Sequence, residues 1–191
     1  MQDRDRFTPE EYFEWEATQQ LRYEYFDGEV FAMTGGSLAH ADIVLNIASI
    51  LKQHLQRRCK VRNSDAKIGI SDDGPFIYPD ISVTCDDSPA GTLRERDRAA
   101  RQFSRYPCLI IEVLSPGTEA YDRGRKFAIY RRLETLKEYV LVRSETKTIE
   151  VFRRNEVGTW TFIPYGEGDR VELTSVNLVV SVDAIYEDVV F

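Results

Sequence analysis

The sequence predicts a mixed α/β (α+β) domain in which helices flank a central mixed β-sheet. Helical and strand-like segments alternate in the first two thirds of the chain, and strand-like segments follow one another in the last third. Interleaved elements followed by a run of strands are typical of a sheet that carries helices on its faces. The 191 residues show no internal repeat, low-complexity tract or linker, which predicts a single domain over residues 1–191.

Three helices are predicted, two of them by clear signals. Thr8, Pro9 and Glu11 form the pattern of a capping box with proline in the first turn, so a short helix begins there. Apolar residues recur at roughly helical spacing from Leu38 to Leu55 and predict the longest helix. Residues 121–136 predict the third helix.

The strands begin with an N-terminal hairpin, because Asp27-Gly28 separates two strand-like arms. Strands are then expected at KVRNSDAKIGI, at FIYPDISVTC with an interruption at its Pro-Asp step, and at PCLIIEVLS. A C-terminal β-meander is expected from EYVLVRS, KTIEVFRR and TWTFIPY. The tail, VNLVVSVDAIYEDVVF, predicts one more strand followed by a turn or short helix.

Composition narrows the class of protein. Three cysteines at wide spacing without a CxxC pair argue against a disulfide framework and fit a reducing cytosol. Two histidines exclude a histidine-rich zinc site. A signal pattern and an apolar run of membrane-spanning length are both absent, so we expect a cytoplasmic protein without a membrane segment.

The net charge of −7 is unevenly distributed. Residues 1–30 hold nine acidic and three basic residues, and residues 156–191 hold seven and one, so each end carries −6. The middle, with 21 basic and 16 acidic residues, carries +5. A locally basic centre can meet a polyanion. By itself the pattern more often marks ordinary solvated surface.

Two acids interrupt apolar strands, Asp80 in YPDISV and Glu112 in LIIEVLS. An isolated buried carboxylate is costly unless it is paired or binds a metal. Two of them on successive central strands can converge, and carboxylates without histidines suit Mg²⁺. Alone, Asp80 more often caps a turn, and Glu112 could equally face the edge of a half-exposed strand.

A basic helix follows these strands. Asp122 and Lys126 stand at i and i+4, on one helix face, so Lys126 could reach the same cleft. Alone, such a pair is most often a surface ion pair. Arginines on this helix, and a second arginine-rich segment at 94–105, could neutralise phosphates. The helix arginines are Arg123, Arg125, Arg131 and Arg132.

Taken together, these motifs resemble the Uma-two family of bacterial restriction-endonuclease-like proteins, within the PD-(D/E)xK nuclease superfamily. The resemblance rests on RYEYFDGEVFAMTGGSLAH, YPDISV, PCLIIEVLSPGTEAYDRGRKFAIYRR and EYVLV. It runs from about Thr8 to the C-terminus and is most specific between Glu24 and Lys126. It implies a restriction-endonuclease-like sheet flanked by helices, a Mg²⁺ (or Mn²⁺) site and DNA as substrate.

The resemblance also implies roles for single residues. Asp80 and Glu112 would bind the metal, with the Val113 carbonyl as a further ligand. Lys126 resembles the superfamily lysine moved from strand to helix, since Leu114 occupies the strand position. Glu24 and His40 match positions that the family pattern favours.

The leading hypothesis is therefore a Mg²⁺-dependent DNA endonuclease. Its catalytic residues would be Asp80, Glu112, Lys126 and Glu24, and its substrate-binding residues Arg123, Arg125, His40 and Asp122. A homodimer is expected, because cutting both strands of a duplex favours two-fold symmetry. The alternative is a catalytically inactive nuclease-fold module that binds nucleic acid or protein. A glycoside hydrolase with a carboxylate pair ranks below both, because neither tryptophan lies near the motif.

Overall fold

A computed structural model describes residues 6–33, 35–56, 58–85 and 102–191. Helix α1 spans Pro9–Glu16 and α2 spans Leu38–Leu55. Helix α3 consists of three consecutive pieces, an α-turn at Glu119–Tyr121, a π-helical turn at Asp122–Lys126 and an α-turn at Phe127–Tyr130. A short α4 spans Val182–Ile185.

The described residues contain twelve strands in three sheets. They are β1 (Tyr23–Phe26), β2 (Glu29–Ala32), β3 (Cys59–Asn63), β4 (Ile68–Gly69), β5 (Phe76–Ile77), β6 (Ile81–Cys85), β7 (Leu109–Leu114), β8 (Glu138–Arg143), β9 (Ile149–Arg154), β10 (Trp160–Tyr165), β11 (Arg170–Leu173) and β12 (Leu178–Ser181).

The central sheet is six-stranded and mixed, in the order β10-β9-β8-β7-β6-β3. Only β7 and β8 run parallel, and α3 lies in the crossover between them. Strands β8, β9 and β10 form the expected antiparallel meander. The predicted fold class is thus confirmed.

The N-terminal predictions hold in detail. Thr8 caps α1, with its hydroxyl accepting from the Glu11 N–H and Glu11 accepting from the Thr8 N–H. Asp27 and Gly28 adopt positive φ angles of 48° and 88° at the tip of the β1–β2 hairpin, as a two-residue hairpin turn requires. The hairpin belongs to a second sheet, in the order β2-β1-β5-β4.

The predicted interruption of one strand at its Pro-Asp step is a complete break between two sheets. FIYPDISVTC is not a single strand, because β5 lies in the hairpin sheet and β6 lies in the central sheet. The chain changes sheets at Pro79 and Asp80. Proline has no N–H to donate to a ladder, so it suits such a break. KVRNSDAKIGI likewise divides into β3 and β4, and β11 was not anticipated.

Two apolar layers cover the central sheet. Four residues of α2, namely Ile43, Ile47, Leu51 and Leu55, pack with β11, β12 and α4 on one face. The other face carries Ile110 and Leu114 of β7 beneath Tyr130 and Leu133 of the α3 region. Because strand side chains alternate between faces, Glu112 shares the face of Ile110 and Leu114.

The cysteine prediction is wrong. Cys59 and Cys85 lie opposite each other on β3 and β6 and form a disulfide. Cys108 is free and buried, with its sulfur 3.7 Å from that of Cys85. The register of β3 against β6 places Cys59 and Cys85 side by side, although they are 26 residues apart in sequence. In the described part of the chain, no helix is long and apolar enough to cross a membrane.

Candidate active site

Asp80 and Glu112 meet where β6 begins beside the middle of β7. Ile81 of β6 pairs with Ile111 of β7, so the residues just beyond them are adjacent. The Asp80 N–H donates to Glu112 Oε2 at 3.2 Å, and the Val113 N–H donates to Asp80 Oδ2 at 2.7 Å. Two acids that are 32 residues apart in sequence are therefore held together by the backbone of the sheet.

Glu112 is the more deeply buried of the two, with 2% of its surface exposed. Burial raises the pKa of its carboxyl well above the usual range; Lys126 opposes this shift, and the acids Asp122, Asp80 and Glu24 add to it. Its second oxygen, Oε1, receives no hydrogen bond of regular geometry from the described residues. The nearest charge to Oε1 is the Lys126 ammonium, 3.1 Å away.

Lys126 lies at the end of the π-helical turn and is almost completely buried. Its Nζ is 3.4 Å from Asp122 Oδ1 and 3.6 Å from Glu24 Oε1, and it donates to the Tyr78 carbonyl at 3.2 Å. Burial by itself lowers the pKa of Lys126, but the surrounding carboxylates outweigh it and the net shift is upward. The surrounding carboxylates thus favour the charged form of the side chain. Single π-turns of this kind often occur at functional sites.

Glu24 and Asp122 complete an acidic ring around this ammonium. Glu24, on β1, accepts from the Tyr78 N–H at 3.1 Å and from the Tyr121 hydroxyl at 2.6 Å. Asp122 is 3% exposed, and burial raises its pKa although Lys126 opposes the shift. The hairpin sheet, the central sheet and α3 thus each contribute a carboxylate.

His40 reaches the site from the first turn of α2. Its Nε2 lies 3.2 Å from Asp80 Oδ2, and this hydrogen bond raises the pKa of His40. Ser37 caps the helix by accepting from the His40 N–H. The cap thus anchors the helix end from which the His40 side chain reaches Asp80.

The two predicted substrate-binding arginines differ in their surroundings. Arg123 forms ion pairs with Glu119, at 2.6 Å, and with Glu150. Arg125 is exposed and lies over the rings of Phe26 and Phe31, 4.3 Å and 5.4 Å from their centroids. Arg125 is thus the more accessible cation beside the cluster. Most of the arginine-rich 94–105 segment lies outside the described residues.

Sequence reasoning missed the tyrosines of the site. Tyr78 binds both Glu24 and Lys126 through its backbone, Tyr121 donates to Glu24, and the Tyr139 hydroxyl donates to the Asp122 carbonyl at 2.9 Å. The Tyr130 hydroxyl is buried without a hydrogen-bond partner among the described residues. Tyrosines within apolar segments were the available signal, because a buried hydroxyl usually needs a partner.

The donor set has a clear chemical character. Its members are carboxylates and backbone carbonyls, which suit a hard cation. In the described ranges, however, no three histidine, cysteine, aspartate or glutamate side chains are arranged as a metal cage. The acids converge on Lys126 instead.

The fold is shared with a protein of known structure. It superimposes with a TM-score of 0.74 on the crystal structure of a "putative nuclease belonging to DUF820" from Anabaena variabilis ATCC 29413. The match covers 96% of this chain and 99% of the other at 19% sequence identity, so it demonstrates the shared fold alone.

The chain belongs to the Uma2 family, described as "Putative restriction endonuclease", whose model matches residues 9–183. It is 43% identical to the Synechocystis protein slr1290 over 187 residues, covering 97% of this chain and 94% of that protein. It is also 25% identical to sll1609 of the same organism over 173 residues, covering 90% and 94%. The resemblance found in the sequence is confirmed at the level of the family.

Proposed function

We propose that this protein is a Mg²⁺-dependent endonuclease that hydrolyses phosphodiester bonds of DNA. The observation that carries the proposal is the meeting of Asp80 and Glu112, with the buried Glu112 Oε1 lacking a regular hydrogen bond. Glu112 Oε1 faces the Lys126 ammonium at 3.1 Å, and two carboxylates that meet in a largely buried site favour a cation beside them.

The residues at this point suit a divalent ion. Mg²⁺ is commonly bound by one or two carboxylates together with several waters, so Asp80 and Glu112 suffice as anionic ligands. Within a strand, the N–H and C=O of one residue point to the same edge. The Val113 N–H points to Asp80, and its carbonyl is therefore the natural third ligand. When bound, Mg²⁺ or Mn²⁺ would polarise the phosphate and acidify the attacking water.

The other residues of the site would position the reacting groups and neutralise the charge of the DNA backbone. Lys126 would hold the scissile phosphate or orient the water, and Asp122 and Glu24 would direct its ammonium. His40 would fix Asp80 through their hydrogen bond. Arg125 would bind the DNA backbone beside the site. Arg123 would support it while keeping its ion pairs with Glu119 and Glu150.

The test is cleavage of supercoiled plasmid in Mg²⁺ or Mn²⁺, with chelator as the blank. Asp80→Asn and Glu112→Gln should abolish metal-dependent nicking while the protein remains folded by circular dichroism. Glu172→Gln, which neutralises an exposed acid, is the matched control and should cut like wild type. Sedimentation in the same buffer measures the proposed homodimer. Wild-type rates in both site variants would refute the assignment.

A second candidate is a nuclease-fold module that binds nucleic acid or protein without catalysis. Two observations favour it: Leu114 stands where the superfamily lysine would be, and the acids of the site already neutralise Lys126. Calorimetry with Mn²⁺ separates the two candidates. A module without catalysis should show no ion binding that depends on both Asp80 and Glu112.

A further inference from the structure

The acidic ring around Lys126 contains more negative charge than one lysine can neutralise. Glu24, Glu112 and Asp122 lie within 3.6 Å of Nζ, and Asp80 adjoins Glu112. Against these four carboxylates stand one ammonium and the His40 imidazole. Carboxyl groups therefore outnumber basic groups in this cluster, so it can accept a further cation.

We propose that Lys126 is a tethered cation that competes with the divalent ion for Glu112 and thereby sets the metal affinity of the site. The inference rests on the proposed function, since it concerns the same metal site. The ammonium approaches Glu112 Oε1, the oxygen that would otherwise be free to bind an ion. Lys126 holds the carboxylates together before the ion arrives and yields that oxygen when it binds.

Lys126 can withdraw from Glu112 without losing its other partners. Glu24, Asp122 and the Tyr78 carbonyl all lie within 3.6 Å of Nζ and belong to elements other than β7. A lysine has a flexible four-carbon stem and three rotatable donors, so its ammonium can shift among these acceptors. After the shift it would remain buried beside the ion, where it can meet a phosphate.

A second, partly buried lysine provides a matched control. Among the described residues Lys67 pairs with one acid, Glu16, and it lies 4.8 Å and 4.7 Å from the ring centroids of Tyr12 and Phe13. In this part of the structure one ammonium meets one carboxylate, without the surplus of acids that surrounds Lys126. Loss of either lysine breaks a buried ion pair, but only loss of Lys126 should alter metal binding.

The experiment is calorimetric titration of Mn²⁺, with DNA absent, into wild type, Lys126→Met and Lys67→Met. We expect Lys126→Met to bind Mn²⁺ about tenfold more tightly or better, because a positive charge within a few ångströms of the ion has been removed. Lys67→Met should bind like wild type. Lys126→Arg keeps the positive charge, and the Mn²⁺ dissociation constant should change only when that charge is lost. We therefore expect this variant to retain the wild-type affinity within about threefold. Unchanged or weaker binding by Lys126→Met would overturn the proposal.

A measurement on the wild-type protein applies even where Lys126→Met does not fold. The side-chain ¹⁵Nζ signal of Lys126, identified by its loss in Lys126→Arg, should shift on titration with Mg²⁺, and that of Lys67 should not. A Lys126 signal that stays fixed while Mg²⁺ binds would show that the ammonium does not move, against the proposal.

The outcomes separate this inference from the proposed function. If wild type binds Mn²⁺ and Lys126→Met binds it more tightly, but plasmid stays intact, the inference holds and the endonuclease assignment fails. If plasmid is cut but wild type and Lys126→Met bind Mn²⁺ with the same affinity, the endonuclease assignment holds and the inference fails. If neither protein binds an ion, both fail.

Discussion

Glu112 and Glu138 are buried glutamates on neighbouring strands, β7 and β8, yet their surroundings are opposite in kind. Glu138 is fully buried and accepts from Arg153 Nε at 2.8 Å, and also from the backbone N–H and the hydroxyl of both Thr174 and Ser175. Glu112 accepts one backbone N–H and leaves Oε1 without a regular hydrogen bond.

The two glutamates differ in the kind of group that surrounds each carboxylate. All partners of Glu138 are donors, and they tie β8 to β9 and to the turn after β11. The neighbours of Glu112 are mostly other acids, which raise its pKa together with burial. Glu138 is therefore held by donors alone, whereas Glu112 lies among like charges with Lys126 as its counter-ion.

The largest expected effect is that of Glu138→Ala. It should lower the free energy of unfolding by about 3–5 kcal/mol, because Arg153 and four other donors lose a buried partner. Urea unfolding followed by circular dichroism measures it. The Mn²⁺ affinity of the remaining folded protein should not change. If the unfolding free energy fell by less than about 1 kcal/mol, as for an ordinary exposed salt bridge, Glu138 would not differ from Glu112 in the way described.

Removal of the disulfide should have the next largest effect. It changes the stability of the sheet without changing the charged residues of the site. Cys59→Ser opens a loop that joins cysteines 26 residues apart, which predicts a loss of about 3 kcal/mol in unfolding free energy. Urea unfolding of wild type with and without reductant should reproduce the same loss. Mn²⁺ binding should persist, since Asp80 is at the opposite end of β6; its disappearance would mean that the β3–β6 link also shapes the metal site.

Glu112→Gln should act on metal binding rather than on folding. In chelator its unfolding free energy should not fall, because the substitution removes one of several crowded negative charges. Mg²⁺ at 100 times its dissociation constant should stabilise wild type by about 2.7 kcal/mol, and the variant should lose this gain. Thermal unfolding with and without Mg²⁺ measures both. If Mg²⁺ stabilised the variant as much as it stabilises wild type, Glu112 would not be a ligand of the ion.

The smallest expected effect is the pH dependence contributed by His40. Its hydrogen bond to Asp80 raises the folded-state pKa above the usual 6.5, so its stabilisation is complete below pH 6.5 and is lost as the pH rises through the folded value. In chelator, the stability difference between wild type and His40→Gln should therefore be larger at pH 5.5 than at pH 8.5. Urea unfolding at the two pH values checks the sign, and a difference that grows with pH would contradict it.

Features with local causes could be predicted from the sequence. The capping box of Thr8 and Glu11 and the Asp27-Gly28 turn involve residues within four positions of each other, so their spacing contains the geometry. The same holds for Asp122 and Lys126, whose i, i+4 spacing gives a contact of 3.4 Å even within a π-turn. The meander also followed from three strand-like segments in succession along the chain.

Features that join distant segments could not be predicted in this way. The sequence marked Asp80 as an unusual acid, but only the change of sheet at Pro79 brings Tyr78 toward Glu24 and Asp80 toward Glu112. The Cys59–Cys85 bridge depends on the register of β3 against β6. The binding partners of Arg123 on α3 and β9 likewise depend on how the helix docks on the sheet.

The sequence by itself determined the fold class, the family and most of the helices and strands, because each is encoded in neighbouring residues or in a motif of them. The tertiary structure alone decided that Lys126 is surrounded by carboxylates from three separate elements and that Glu138 is saturated while Glu112 is not. The physical reason is that the electrostatic environment of a buried charge depends on all groups within a few ångströms, whatever their distance along the chain.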